Sequence, residues 1–396
     1  MDIPKPVRKE GKMGKLTAKD FAASAKDKIA YDMGNGIGKL AFVSGSGIKT
    51  DSTLTMVAKN IDYRGLNQKT TYKMGNSQYF VGMDADGHDI IANKGFDYHV
   101  TYGKIPLYRM LSNNNLLGTT ETKTLLVGVS FHDYTPSNIL AIIKSLKEFE
   151  IDGVTVKFKH VLVTVQSIGS LKHYVGVNKI DMPKKAFILD VGTHTAITLG
   201  YVNGEVVPTN DIHTESGMIW ILNKWYEYIT NKYPDCKTSI QELNLLWRES
   251  LKLRDKDIAA GIDFFDENVL FKSKESKFMY NLFFFEKYRP DVSAFLYKLE
   301  KEYVFEFLVK TVLAANKSEI GQAQLVLIVG GTVHLLKYYS FDKIKDNFSF
   351  ASQPYEFSNV MGLLYHSFDE ISSPNVIGIY KTQLANGDLE SITIKN

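Results

Sequence analysis

The chain has 396 residues, 44% of them hydrophobic and 23% charged, which is too long for one simple core and leads us to expect two domains. The net charge of +3 sits at one end: residues 1–28 hold eight Lys/Arg against four Asp/Glu, so the remainder carries no bulk electrostatic footprint for nucleic acid. Cys236 is the sole cysteine, which excludes an intramolecular disulfide and a Cys-rich zinc site and fits a reduced, cytosolic compartment; no apolar run approaches the ~20 residues of a membrane span.

The opening MDIPKPVRKEGKMGK lacks the apolar core of a signal peptide and reads as a basic leader, 1–28, either disordered or a partner-binding arm. Residues 29–34 and 37–44 then read as two strands around a Gly-rich turn, followed by a strand at 52–59 and a hairpin at 70–85 turning at Gly75-Asn76. A helical patch, IPLYRMLSNNNLL, precedes the buried-strand run KTLLVGVSF at 123–131. TPSNILAIIKSLKEFE, 135–150, places its apolar residues on one helical face, with Ser137 or Asn138 as the expected cap. VTVKF and HVLVTVQ are strands, and SIGSLKHYV starts a helix. From Ala186 the pattern begins again, with strands at 186–191, 195–202 and 205–209 and an Asn203-Gly204 hairpin turn. Residues 216–316 are largely helical in composition, and LVLIVGG, 325–331, is a last buried strand before a helix beginning near Thr332. The two units meet near Asp181-Met182-Pro183.

The restart is quantitative. Asp32 and Asp190 stand 158 residues apart, and so do Gly34 and Gly192; each Asp-x-Gly ends an apolar strand and opens a turn. A repeat this long indicates duplicated domains. A buried strand-end carboxylate costs several kcal/mol unless something pairs with it. In the first copy, Asp32, Gly34, Asn35, Gly36 and Lys39, the turn can gather backbone N–H groups into an anion-binding nest, with Lys39 adding positive charge and Asp32 holding a cation through water. A plain hairpin explains one such loop equally well. The second copy, Asp190, Gly192, Thr193, His194 and Thr195, shifts the balance, because two loops from two domains can clamp one polyphosphate. His194 reads first as a solvated turn residue.

Two further segments carry chemistry. Gly330, Gly331 and Thr332 join a buried strand to a helix, where bare backbone lets a flat ring or sugar approach closely. Gln166, at the end of VLVTVQ, is well placed to orient a water, although a residue at a helix start is the plainer explanation.

At this point the residues resemble a known family. DMGNGIGKLAF is similar to the first phosphate loop of actin, an Asp-x-Gly-x-Gly-x-x-Lys pattern, and DVGTHTAITLGYVNGE to its second phosphate loop. VQSIGSL resembles the segment with actin's catalytic-water glutamine, IVGGTVHLL the adenosine motif, and EFSNVMGLLY the Asn-x-x-Gly segment opening the final helices. All five occur in the family's order, and the Gly-Asn-rich first loop looks closest to bacterial ParM-type plasmid-segregation actins. The resemblance implies an α/β, actin-like fold of two duplicated domains, each with a five-stranded mixed sheet flanked by helices. Domain I would cover 29–183, with 366–396 returning to it; domain II would cover 184–365, with a helical insertion at about 216–316. The cleft between them would take ATP or GTP with Mg²⁺. Phosphates would rest on Gly34, Asn35, Gly36, Lys39, Gly192, Thr193, His194 and Thr195, the nucleoside on Gly330, Gly331 and Thr332, and Mg²⁺ on Asp32 and Asp190 through water. Gln166 would position the attacking water, and Glu215 would reach the ribose or base or else cap its helix. The implied function is nucleoside triphosphate hydrolysis coupled to filament assembly in the bacterial cytoplasm. It would drive plasmid segregation through a DNA-bound adaptor, without direct contact to DNA or membrane.

Other readings are weaker. A sugar- or acetate-type kinase of the same superfamily needs a general base, usually a carboxylate, and Gln166 is not one. A DnaK-type chaperone would need room for a peptide-binding domain before Asn396. A dead nucleotide site sits poorly with intact Asp32, Lys39 and Asp190.

Overall fold

Two five-stranded mixed sheets organise the chain, each grown around one of the two Asp-x-Gly strands. The structure is a computed structural model and describes residues 25–365 except 46, 61–69, 87, 92–94, 208, 210–215 and 260–288. Strand β1 (Lys28–Met33) pairs antiparallel with β2 (Ile37–Ser44), which pairs with β3 (Gly47–Leu54). Next, β4 (Val57–Lys59), β5 (Thr71–Met74) and β6 (Ser77–Val81) form a separate three-stranded sheet. The chain then returns to the other edge of β1 through β7 (Thr124–Val129), makes the small hairpin β8 (Glu148–Ile151) and β9 (Val154–Lys157), and adds β10 (His160–Val165) parallel to β7. The second half repeats the scheme with β11 (Lys185–Val191), β12 (Ala196–Val202), β13 (Glu205–Val207), β14 (Leu325–Val329) and β15 (Phe348–Phe350). The orders β3-β2-β1-β7-β10 and β13-β12-β11-β14-β15 correspond strand for strand: an antiparallel meander on one side of the Asp strand, two parallel strands on the other. The duplication read from the 158-residue spacing is thus a duplication of topology.

Residues 29–31 of β1 are apolar because both faces of the strand are covered. Ile29 and Tyr31 point into a core shared with Leu107, Leu125 and Ile143, whereas Ala30 faces the other way, onto Val360, Leu363 and Leu364. The helices covering these faces include α1 (Phe96–Tyr102), α2 (Lys104–Asn113), α3 (Pro136–Lys147) and α4 (Ile168–Asn178) in the first half. In the second half they are α5 (Ile219–Lys232), α6 (Ile240–Ala259), α7 (Arg289–Lys301), α8 (Lys317–Gln322), α9 (Val333–Tyr338) and α10 (Ser358–Leu363). A π-helical segment, Glu302–Leu313, continues from α7. Helix α10 packs back on α4 with no side chain between them: a Cβ on Gly362 would lie 1.6 Å from the Gly169 carbonyl oxygen. Among the described residues no helix is long and apolar enough to cross a membrane.

Several expectations change in detail. The strand expected at 52–59 breaks at Thr55-Met56, because the Thr55 N–H is drawn to the Gly36 carbonyl (3.1 Å). The hairpin expected to run to residue 85 ends at Val81 in a short 3₁₀ turn. Helix α3 is capped by Thr135, not by Ser137 or Asn138: Pro136 sets the first helical φ, which leaves Thr135 extended with its Oγ1 accepting from the Asn138 N–H. That helix stops at Lys147, and Glu148–Ile151 becomes β8. The leader was expected to reach residue 28, yet Ala25 is fully buried beside Leu363 and the Asp27 carbonyl accepts from the Thr124 N–H (2.8 Å). Residues 1–24, the segment 366–396 and Glu215 lie outside the described residues.

Candidate functional site

Each Asp strand ends at a cleft of about 730 Å³ between the two sheets, lined from both halves. Asp32 is the cross-strand partner of Lys39, and the Lys39 ammonium lies 3.6 Å from its carboxylate. Its other oxygen accepts from the Gln166 side-chain amide at 2.5 Å. The next residue, Ser167, donates its hydroxyl to Asp190 at 2.5 Å. Consecutive residues at the end of β10 therefore hold the two repeat carboxylates, one each. Ser167 achieves this in a left-handed conformation, φ 73°, its N–H held by the Asn359 side-chain oxygen at 3.0 Å. Asn359 belongs to the Asn-x-x-Gly segment. Gly128, in register with both Asp32 and Thr164, leaves the room this cluster needs: a Cβ there would stand 3.3 Å from the Asn359 amide nitrogen and 3.4 Å from Gln166 Cγ.

The two glycine-rich loops meet across the cleft. A Cβ on Gly36 would collide with the Thr193 side chain at 2.8 Å. Both loops are held from behind through their carbonyls. In the first, the Asn35 carbonyl accepts from the Thr55 hydroxyl (2.8 Å) and the Gly36 carbonyl from the Thr55 N–H. In the second, Gly192, Thr193 and His194 each accept from a backbone N–H at the start of α5, and Thr195 accepts from the Gly192 N–H. Because a trans peptide points its N–H opposite its C=O, the N–H groups of residues 193–195 face away from α5. That is the disposition a nest for anions requires.

Burial in the cleft pushes the Asp190 carboxyl above the ordinary carboxylate range; the Ser167 hydrogen bond and the Lys39 charge oppose this, and the nearby Asp32 charge adds to it. Among the described residues no group of three or more His, Cys, Asp or Glu assembles as a metal cage. Two facing carboxylates still fit Mg²⁺, which keeps most of its water and takes its remaining ligands from phosphates.

Of the residues singled out in the sequence, Asp32, Gly34, Asn35, Gly36, Lys39, Gln166, Asp190, Gly192, Thr193, His194, Thr195 and Gly331 all line this one cleft. The Asn35 amide oxygen lies 2.6 Å from His99 Nε2. Gly330, with φ 98°, packs under the second Asp strand, where a Cβ would meet the Val191 carbonyl oxygen at 2.4 Å. Thr332 is buried away from the cleft and donates its hydroxyl to the Val191 carbonyl.

Other residues of the site escaped sequence reasoning. Ser167 stood beside Gln166 but reads there as an ordinary helix-start serine. Arg248 reaches the cleft wall from α6, its guanidinium 3.3 Å from where a Gly331 Cβ would be. Within LNLLWRESL it looks like any charge on an amphipathic helix. Ser130, His132 and Asp133 follow β7 and line the end of the cleft nearer the first sheet, with the Ser130 hydroxyl donating to Asp133 at 2.7 Å. A polar run after a buried strand was the available signal.

No family model and no curated protein matches this sequence. Solved structures do match the fold. Ta0583, an archaeal actin homolog, matches with a TM-score of 0.60 at 14% identity, covering 85% of this chain and 98% of the homolog; the same homolog has been solved in complex with ADP. ParM from Bacillus thuringiensis with AMPPNP matches at 0.55 and 14% identity, over 86% of this chain and 98% of that one. The ParM of a 15-stranded filament from Clostridium botulinum matches at 0.57 and 18% identity, over 85% and 97%. At such identities the likeness establishes architecture and not activity.

Proposed function

From the actin fold of this chain we propose that it is a filament-forming, nucleotide-dependent ATPase or GTPase of the ParM type, which binds Mg-nucleotide in the cleft and assembles in the bound state. The observation that carries this reading is the convergence of both Asp-x-Gly loops on one cavity, with their carbonyls tied back and their carboxylates bridged by Gln166 and Ser167. Relatives of the fold solved with ADP or AMPPNP, or as a filament, support it further.

In this reading the loop N–H groups, Thr193, Thr195 and Lys39 bind the phosphates. Asp32 and Asp190 hold Mg²⁺ through water, and the ion when bound neutralises phosphate charge. Gly331 and Arg248 form the wall available to the nucleoside. Gln166, released from Asp32, holds water for in-line attack; an amide can both donate and accept, and positioning is most of what phosphoryl transfer asks of a protein. Filament turnover then follows hydrolysis, and a DNA-bound adaptor couples the filament to a plasmid.

The test is sedimentation and negative-stain microscopy with ATP, GTP and slowly hydrolysed analogues, alongside phosphate release. Filaments only with triphosphate, and their loss in Asp190→Ala, are expected. An Asp190→Ala protein that assembles and hydrolyses like wild type would sink the reading. One observation favours a second reading: Asp133 puts a carboxylate into the cleft, as a small-molecule kinase would need. Phosphorylation of a panel of sugars or carboxylic acids, without free phosphate release, would establish that instead.

A further inference from the structure

Hydrogen bonds through one short stretch of backbone link the second glycine-rich loop to the π-helical segment that continues from α7. Residues 216–219 run behind the loop as a strap. Gly217, Met218 and Ile219 donate their N–H groups to the carbonyls of His194, Gly192 and Thr193 at 3.2, 3.1 and 2.7 Å. Ser216 accepts the Ala196 N–H on its hydroxyl at 2.9 Å. The fit leaves no slack: a Cβ on Gly217 would sit 2.6 Å from both the Gly192 carbonyl oxygen and the Thr195 nitrogen.

The strap is itself anchored from the π-helical segment. Tyr303 donates its hydroxyl to the Ser216 carbonyl at 2.6 Å. Its ring is fully buried, with the Trp220 and Phe307 rings 5.8 and 5.5 Å away. The preceding residue, Glu302, pairs with Lys224 of α5 at 3.2 Å. A π-helical run of this length is rare and places side chains where an α-helix would not.

We propose that Tyr303 is a positioning residue for the second loop: through Ser216 it holds the strap, and so sets the direction of the loop N–H groups that grip the phosphates. It touches no ligand. The phosphate-binding half of this inference rests on the function proposed above; the mechanical half, from Tyr303 to the loop, does not.

The experiment separates the two. Tyr303→Phe removes one hydroxyl and keeps the ring, and Tyr297→Phe is the matched control, because the Tyr297 hydroxyl is also buried but has no hydrogen-bond partner among the described residues. Ser216→Ala keeps the carbonyl that Tyr303 bonds and removes the hydroxyl that accepts the Ala196 N–H, so it is the reference for a strap loosened directly on the loop side. Hydrogen exchange of nucleotide-free protein should show peptides over 192–198 and 216–222 exchanging several-fold faster in Tyr303→Phe and Ser216→Ala. The β1–β2 hairpin should stay at the wild-type rate, and Tyr297→Phe should be silent. Affinity for Mg-ATP should fall about three- to tenfold, the worth of one net hydrogen bond, with affinity for adenosine unchanged. Unchanged exchange at 192–198 in Tyr303→Phe would overturn the proposal, as would an equal loss for adenosine and ATP. If the wild type binds no nucleotide, the functional reading fails while the exchange result still decides the linkage.

Discussion

Gln166 and Ser167 are neighbours in sequence, but each holds a different carboxylate, and the two bonds have different consequences. Gln166 donates to Asp32, and in the proposed function a bound phosphate and its water replace that contact. We therefore expect Gln166→Ala to slow phosphate release by roughly ten- to a thousandfold while nucleotide still binds. Phosphate release and light scattering followed in one sample test this: unchanged release removes Gln166 from the mechanism, and slow release with normal disassembly breaks the link between hydrolysis and turnover. Asp190 is different, because burial holds its carboxyl above the ordinary range. A carboxyl whose pKa is raised on folding costs stability when ionised, and the cost appears as pH rises through the folded value. Asp190→Asn removes that charge and keeps an acceptor for the Ser167 hydroxyl. We expect a higher thermal midpoint at pH 7 without nucleotide, together with loss of the upward shift that the proposed function expects Mg-ATP to give the wild type. A lower midpoint without nucleotide would show that the carboxylate stabilises the empty cleft.

At the scale of elements, the crossing of α4 and α10 shapes the floor beneath the site. Helix α4 carries Ser167 at its start and His173 in its interior, and His173 is buried with its Nδ1 lacking a hydrogen-bond partner among the described residues. Burial pulls its pKa down from 6.5 to about 4. The unfolded chain takes up that proton near 6.5 and the folded one only near 4, so stability is complete above the first value and is lost on acidification toward the second. A displacement of this size is worth on the order of 3 kcal/mol. Denaturant midpoints between pH 7 and 4 should fall for the wild type and fall less for His173→Phe. Asp190 works in the opposite direction over the acid range, so the comparison between the two proteins, not the wild-type curve alone, carries the test. Equal slopes would mean His173 is not the group responsible.

For the whole molecule, the chain enters its own core earlier than its composition implied. Ala25 packs with Ala30, Leu162 and Leu363, and Lys26 and Asp27 offer carbonyls to Lys123 and Thr124. Deleting residues 1–24 should leave the denaturation midpoint within error of the full chain. Deleting 1–27 should lower stability by on the order of 1–2 kcal/mol, from lost burial and one lost backbone hydrogen bond. If the shorter deletion already destabilises the protein, the leader belongs to the fold. The two halves also touch beyond the cleft, where Ser239, in a reciprocal cap with Glu242 at the start of α6, donates to Asp86 at 3.0 Å.

The sequence by itself determined the two-fold plan and most of the cleft. Apolar strands ending in Asp-x-Gly are local patterns, and their repetition at one spacing survives any later packing; hence the duplication and both loops could be read directly, whereas the five-stranded sheets and the role of Gln166 came from the resemblance. Tertiary structure decided what depends on where a direction points. Thr332 and Gly331 are adjacent, yet Thr332 bonds into the core at the Val191 carbonyl and Gly331 lines the cleft, just after Gly330 at φ 98°. Arg248 and Thr55 join the site because α6 and the break after β3 bring them there from remote positions, and Ser167 because a left-handed turn aims it at Asp190. Ala25 was hidden for the same reason: one small residue gives no periodic signal, and only the helix packed across it shows that it is buried. Periodicity records which residues meet a core, whereas the identity of their neighbours is settled by long-range contacts that leave no mark on the local pattern.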